Sequence, residues 1–189
     1  SSTSESYAGS VDTFNFKVPT PENVPLTISN IEHSRYTYAA TKILGESAFL
    51  NLGKVKDFNC IIIRFHNIYG TRMGFKHVIP HLIERFYKNE NPFKIYGPKQ
   101  TRSFCYIDDA VKIMSKIMNK KKNKYSIYNI GNNNEISIEK LTKKVGKYLN
   151  FKGKFIYKPP FPGSTNRRCP NIMRIQNEFN YKMHFSLDK

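Results

Sequence analysis

The apolar positions of the chain fall into two spacings that alternate along its length. Asn59-Cys60-Ile61-Ile62-Ile63-Arg64-Phe65 is a nearly continuous apolar run, the pattern of a strand buried on both faces of a parallel sheet. Ahead of it, the stretch from Ser34 to about Leu52 predicts a helix, with Gly53 as its stop. Behind it, Val78, Leu82 and Phe86 recur at helical spacing and predict a helix over His77 to Lys88. Phe93 to Tyr96 alternates like a short strand that ends at Gly97-Pro98, and Thr101 to Ile107 predicts another. Asp108 is placed as the N-cap of a helix running to about Met118. Tyr125 to Ile130 predicts a strand ending at Gly131. Ser137 with Lys140 makes an incomplete capping box, and Leu141, Val145 and Leu149 predict the helix behind it. Lys154 to Lys158 predicts a last strand and Pro170 to Phe179 a last short helix. Residues 6–33, with Pro19, Pro21 and Pro25 and few periodic apolar positions, predict a long loop. Loops of that length inside a compact domain are commonly functional.

A helix, a buried strand and then the turn His66-Asn67-Ile68-Tyr69-Gly70 predict an α/β crossover. In such sheets ligands bind beyond the carboxyl ends of the strands, which is where Asn67 falls. A length of 189 residues suits one domain, or one domain and part of another. A 39% hydrophobic content with 14% aromatics supports a packed core and argues against wholesale disorder. No apolar run approaches the ~20 residues of a membrane span. Ser1-Ser2-Thr3-Ser4-Glu5 has neither the basic nor the apolar region of a signal peptide. The 3 cysteines, Cys60, Cys105 and Cys169, lie far apart and outside any zinc spacing, which predicts no metal site and a reducing, cytoplasmic setting.

A net charge of +17 changes the picture in one respect. It raises nucleic-acid binding as a function class, yet the lysines are spread along the chain. The one dense block, Lys120-Lys121-Lys122-Asn123-Lys124, is placed as a solvated loop between a helix and a strand. A basic surface would equally attract an anionic substrate, and nucleic-acid binding leaves the ordered motifs below unexplained.

The candidate chemistry centres on Tyr38 and Lys42. Residues four apart share one face of a helix, so phenol and ammonium point into the same space. A phenol titrates near ~10, and a nearby ammonium favours the phenolate, bringing the hydroxyl toward acid/base use. An ordinary surface Tyr and Lys would show the same spacing, so the reading depends on the other segments.

Those segments carry a resemblance. Ser2-Thr3-Ser4-Glu5, Tyr38-x-x-x-Lys42, Arg64-Phe65-His66-Asn67-Ile68-Tyr69-Gly70, Gln100 to Asp109, Asn129-Ile130-Gly131-Asn132 and Arg167-Arg168-Cys169-Pro170-Asn171-Ile172 occur in order. In this the chain resembles the extended short-chain dehydrogenase/reductase group, the NAD-dependent nucleotide-sugar epimerases, dehydratases and decarboxylases. The resemblance covers nearly the whole chain. It implies an α/β fold: the C-terminal part of a Rossmann-like, doubly wound parallel sheet plus a smaller α/β substrate-binding domain. Residues 1–70 would be the remaining part of the NAD-binding domain. Residues 71–189 would mainly bind the nucleotide sugar, with segments returning to the first domain. The family opens with a Gly-x-Gly-x-x-Gly turn that receives the cofactor pyrophosphate. This sequence has no such motif, and the expectation is a fragment that binds NAD poorly by itself.

The resemblance also implies roles. Tyr38 matches the base that takes the sugar 4-hydroxyl proton, and Lys42 its partner, which also bonds the nicotinamide ribose. Phe65 falls at a cofactor-binding position. Thr3 or Ser4 would orient the sugar hydroxyl, since a hydroxyl both donates and accepts. Family dehydratases typically have Thr-Asp-Glu where this chain has Thr3-Ser4-Glu5, so the acid that helps expel water is missing here. The UDP-glucuronate decarboxylases resemble Thr-Ser-Glu, which makes decarboxylation the leading reading. A 4-epimerase is the alternative, and a 4,6-dehydratase is disfavoured. Arg168 matches an arginine near the sugar in the decarboxylases, although Asn171 replaces the usual Asp of that motif. Arg102 matches a diphosphate contact, for which guanidinium geometry is suited; Asn67 and Lys94 match nucleotide contacts. A homodimer through helices that include the Tyr38 helix, no membrane and no nucleic-acid partner complete the expectation. A non-catalytic remnant without its cofactor half is the rival from another class.

Overall fold

The computed structural model describes residues 1–120 and 124–188. Its elements run β1 (Ser2–Thr3), a 3-10 turn (Ser4–Tyr7), α1 (Ala8–Asp12), α2 (Ser34–Lys56), β2 (Ile61–Phe65), β3 (Ile68–Tyr69) and α3 (Val78–Tyr87). They continue as β4 (Phe93–Tyr96), β5 (Thr101–Ser103), β6 (Cys105–Tyr106), α4 (Ile107–Met118), β7 (Ser126–Ile130) and β8 (Glu135–Ser137). The last are α5 (Ile138–Tyr148), β9 (Phe155–Lys158), β10 (Arg167–Arg168) and α6 (Met173–Phe179).

β2 is the centre of a parallel sheet in the order β1-β2-β7. Side chains alternate across a strand, and both faces of β2 are covered. Ile63, with the partly buried Ile61 and Phe65, packs against Ala110, Ile113 and Ile117 of α4 and Ile172 and Ile175 around α6. Arg64 points the other way and meets Glu46 of α2. The buried central strand and the doubly wound sheet therefore stand as expected, and β7 returns to the sheet from far along the chain. A second cluster joins Leu82 and Phe86 of α3, Phe93 and Ile95 of β4 and Leu141 of α5. There the Phe86 and Phe93 rings stack with centroids 3.9 Å apart. β4 pairs with β9, β10-β5-β8 form a three-stranded sheet and β3 pairs with β6.

Several local expectations are corrected. α2 passes Gly53 and ends at Asp57, whose backbone is left-handed (φ 49°). Gly53 is a packing position: a Cβ there would lie 3.1 Å from Phe58 O and 3.2 Å from Cys60 Cβ. Residues 6–33 are not one loop. The 3-10 turn and α1 occupy their start, capped by Thr3 Oγ1, which accepts the Glu5 N–H at 3.3 Å. So short a helix leaves no periodic signal. The strand expected over 101–107 divides at Phe104, which turns into the second cluster, and Ile107 already belongs to α4. Tyr106, not Asp108, is the N-cap of α4; Asp108 and Asp109 occupy its first turn, where the helix dipole favours acids. The last helix begins at Met173. Of the lysine block, residues 121–123 lie outside the described residues. No described helix is long and apolar enough to cross a membrane.

Candidate active site

The carboxyl ends of β1 and β2 open into a cleft of about 970 Å³. Eight residues expected to form a site line it: Thr3, Ser4, Glu5, Tyr38, Phe65, Asn67, Arg102 and Arg168. They arrive from strand ends, the first turns of α2 and the β5–β10 pair, so the cleft is a product of the fold rather than of one segment. Tyr38 is half exposed, at 50%. Lys42 does not line the cleft but stands beside it. Its Nζ lies 5.7 Å from the Tyr38 ring centroid and donates to Ser1 O at 3.2 Å. Lys94 is not brought to the cleft. It is exposed on β4 between the buried Phe93 and Ile95, and the next residue on its face, Tyr96, reaches the lining instead.

The Thr3 hydroxyl is used as a helix cap, which occupies a lone pair and leaves its proton free to donate. Asn67 has a structural task as well. Its backbone is left-handed (φ 42°), a conformation Asn tolerates, and its Nδ2 donates to Ser103 O at 3.0 Å.

Glu5 is held between two arginines of the cleft. Its Oε1 lies 2.6 Å from Arg168 Nη1, and its Oε2 accepts from Arg35 Nε at 3.1 Å. Burial, the largest single influence, would raise the carboxyl, but Arg168 and Arg35 together hold it below the ordinary carboxylate value. Arg168 stands opposite Arg102 across the β5–β10 pair. Burial is the main cause that pulls the Arg102 guanidinium down to about 10, followed by the charge of Arg168. Arg102 donates to the carbonyls of Thr101 (2.7 Å) and Asn166 (3.5 Å), and no carboxylate bonds it among the described residues. The arrangement favours an anion: guanidiniums outnumber the nearby carboxylates Glu5 and Asp12.

Sequence reasoning missed Arg35, Asp12 and Thr165. Arg35 bonds all of Glu5, Asp12 and Thr165. One signal was available, because a cation in the first turn of a helix opposes the dipole and calls for a partner. The fully buried His66 stands behind the cleft and is pushed down to about 3, chiefly by burial, so its imidazole is neutral. Its Nε2 faces Asn129 Oδ1 at 3.2 Å, while Nδ1 has no partner among the described residues.

Comparison with known proteins identifies the family and the fold. A UDP-N-acetyl-alpha-D-glucosaminuronate decarboxylase from Bacillus cytotoxicus is 32% identical over 129 residues, covering 66% of this chain and 39% of that protein. A UDP-glucuronic acid 4-epimerase from Bacillus cereus, solved with UDP-glucuronic acid and NAD, superposes with a TM-score of 0.83 at 23% identity. That match covers 98% of this chain and 56% of the other. A UDP-glucose 4-epimerase from Thermotoga maritima, solved with UDP-glucose, gives a TM-score of 0.82, again at 23% identity, over 99% of this chain and 58% of the other. At these identities the two structures speak for the fold. Epimerases, decarboxylases and dehydratases all occur among the similar proteins. The chain spans about half the length of the curated relatives it matches, or less. A family model covers residues 1–131, across β1, the Tyr38 helix, the buried strand and the cleft lining built on them, and by that match the chain belongs to the NAD-dependent epimerase/dehydratase family.

Proposed function

We propose that the protein acts with NAD on a nucleotide sugar through a 4-keto intermediate, and that it decarboxylates UDP-glucuronate. One observation carries the decarboxylase reading: the Arg168 guanidinium holds a carboxylate, that of Glu5, at 2.6 Å in the cleft that Tyr38 lines. A guanidinium that grips one carboxylate there is suited to grip that of a uronate.

Tyr38 accepts the sugar 4-hydroxyl proton as the alcohol becomes a ketone, and a Thr3 or Ser4 hydroxyl orients that oxygen. Tyr38, Lys42 and Phe65 fit the nicotinamide end of NAD, because the Lys42 ammonium spends one recorded bond on Ser1 O and keeps donors for a ribose. When bound, NAD would supply the acceptor for the C4 hydride and, after carbon dioxide has left, the hydride that reduces the 4-ketone to the UDP-pentose. A C5 carboxylate beside a C4 ketone belongs to a β-keto acid. The C5–carboxyl bond breaks, carbon dioxide leaves, and the bonding pair passes into the ketone as an enolate that is then protonated at C5. Arg168 positions the carboxylate before that bond breaks, and Arg102, unbonded by any described carboxylate, suits the diphosphate. Asn67 is assigned to the nucleotide. In this reading residues 1–70, with β7, α4 and α6 packed on their sheet, serve the cofactor, and most of the remainder serves the nucleotide sugar.

A homodimer fits the exposed side of α2, where Leu44 (70%) and Val55 (79%) face solvent with Phe49 and Leu52. The three buried, free cysteines support a reducing, cytoplasmic setting. The test is incubation of the full-length protein with NAD and UDP-glucuronate, with release of carbon dioxide and formation of a UDP-pentose as the expected result. A protein that ignores UDP-glucuronate but interconverts UDP-hexoses at C4 would be an epimerase.

A further inference from the structure

Arg35 lies in the first turn of α2, one helical turn before Tyr38, where the positive end of the helix dipole disfavours a cation. Its bonds explain why it is stable there. Nε donates to Glu5 Oε2 (3.1 Å), Nη1 donates to Asp12 Oδ2 (3.0 Å) and Gly163 O (2.6 Å), and Nη2 donates to Thr165 Oγ1. Most of the planar fork of donors is thus occupied. Arg168 takes the other Glu5 oxygen at 2.6 Å, and its Nη2 shares the Thr165 hydroxyl at 3.1 Å. Each guanidinium therefore holds one oxygen of Glu5, but their anchoring differs. Arg35 is tied to two carboxylates, a carbonyl and a hydroxyl, whereas among the described residues the Arg168 guanidinium meets Glu5 and Thr165.

A uronate entering the cleft meets an Arg168 already paired with Glu5. For Arg168 to turn to the substrate, Glu5 must be held by another cation; otherwise two carboxylates compete for one guanidinium at close range. Arg35 meets that requirement, because it keeps its grip on Oε2 when Oε1 is released.

We infer that Arg35 is a positioning residue that retains Glu5 while Arg168 exchanges Glu5 for the substrate carboxylate, and so makes the site selective for a uronate over a neutral hexose. The inference rests on the proposed carboxylate-bearing substrate. The step is an exchange of ion-pair partners, and no covalent bond changes.

Titration calorimetry with UDP-glucuronate, UDP-glucose and UDP tests it. Wild-type protein should bind UDP-glucuronate more tightly than UDP-glucose. Arg35→Gln should weaken UDP-glucuronate on the order of tenfold, the scale of one misplaced like charge, while UDP-glucose and UDP change by less than about twofold. Arg35→Lys, which keeps a cation near Glu5, should recover most of the loss. The double variant Glu5→Gln/Arg35→Gln should recover it too, because the competing carboxylate is gone. Equal losses for all three ligands, or no recovery in the double variant, would show that Arg35 only supports the fold and would overturn the inference. Thermal melting of each variant identifies any that fails to fold, and Arg35→Lys keeps the comparison decisive in that event. Wild-type protein with no preference for UDP-glucuronate would instead remove the carboxylate reading beneath it, a result visible without any variant.

Discussion

Arg64 of the central strand and Glu46 of the Tyr38 helix meet inside the molecule, Nη2 to Oε2 at 2.5 Å, with their side chains 3% and 5% exposed. Arg64 Nε reaches both Glu46 oxygens, at 2.9 and 3.1 Å, and Nη1 donates to Tyr7 Oη at 2.6 Å and Glu22 O at 2.9 Å. This pair fixes α2, and with it Tyr38, against the carboxyl end of the sheet. Removing one partner strands a buried charge, so Arg64→Met should destabilise the fold by about 3–5 kcal/mol in urea denaturation. Arg64→Met/Glu46→Leu should recover most of that, since an apolar pair of similar volume leaves no buried charge.

Tyr38→Phe should abolish both cofactor reduction and product in the full-length protein, with a loss of at least ~10²–10⁴-fold in turnover. Absorbance of reduced cofactor and discontinuous product assays check it. Retained turnover in this variant would remove Tyr38 from the proposed role.

Glu5→Gln and Arg168→Ala should spare the first oxidation more than the steps that follow. With UDP-glucuronate as substrate, stopped-flow absorbance should show reduced cofactor forming while carbon dioxide release lags. Equal slowing of both signals would contradict the assignment of Arg168, and of the Glu5 carboxylate it holds, to the steps after the oxidation.

Glu5 also makes a pH prediction. Its carboxyl is held below the ordinary 4.5 in the folded protein. A depressed acid contributes stability that is fully present above its unfolded pKa and is lost as pH falls through the folded one. Thermal melting of the wild type should therefore fall more steeply than that of Glu5→Gln as pH drops below 4.5. Parallel curves would show that the two arginines do not stabilise the ionised form.

The exposed side of α2 predicts association. Leu44→Glu/Val55→Glu places charges on side chains that are 70% and 79% exposed in the monomer, so folding should survive. Light scattering should report a dimer for the wild type and a monomer for the variant. A monomeric wild type would dismiss the homodimer.

Much of the fold was legible because its signals are local. The run Ile61-Ile62-Ile63 needs cover on both faces wherever it sits, and only the centre of a layered sheet offers that. Leu82 and Phe86 announce one face of a helix in the same way. Where a residue did two jobs, the local signal misled: Gly53 reads as a helix stop but is a packing contact inside the helix. The short turn and helix from Ser4 to Asp12 were hidden because a few polar residues complete no period.

The sequence by itself determined the class of fold, the family resemblance and eight of the residues that line the cleft, because motif order and periodicity are properties of the chain read along its length. The tertiary structure alone decided which charges meet. Glu5, Arg35 and Arg168 are far apart in sequence, and Arg35 sits 30 residues from Glu5 and 130 from Thr165. Lys94 looked equivalent to the others, yet its place at the start of β4 keeps it out of the cleft, which Tyr96 on the same face reaches instead. An ion pair depends on a separation of a few ångströms in space, which spacing along the chain does not encode.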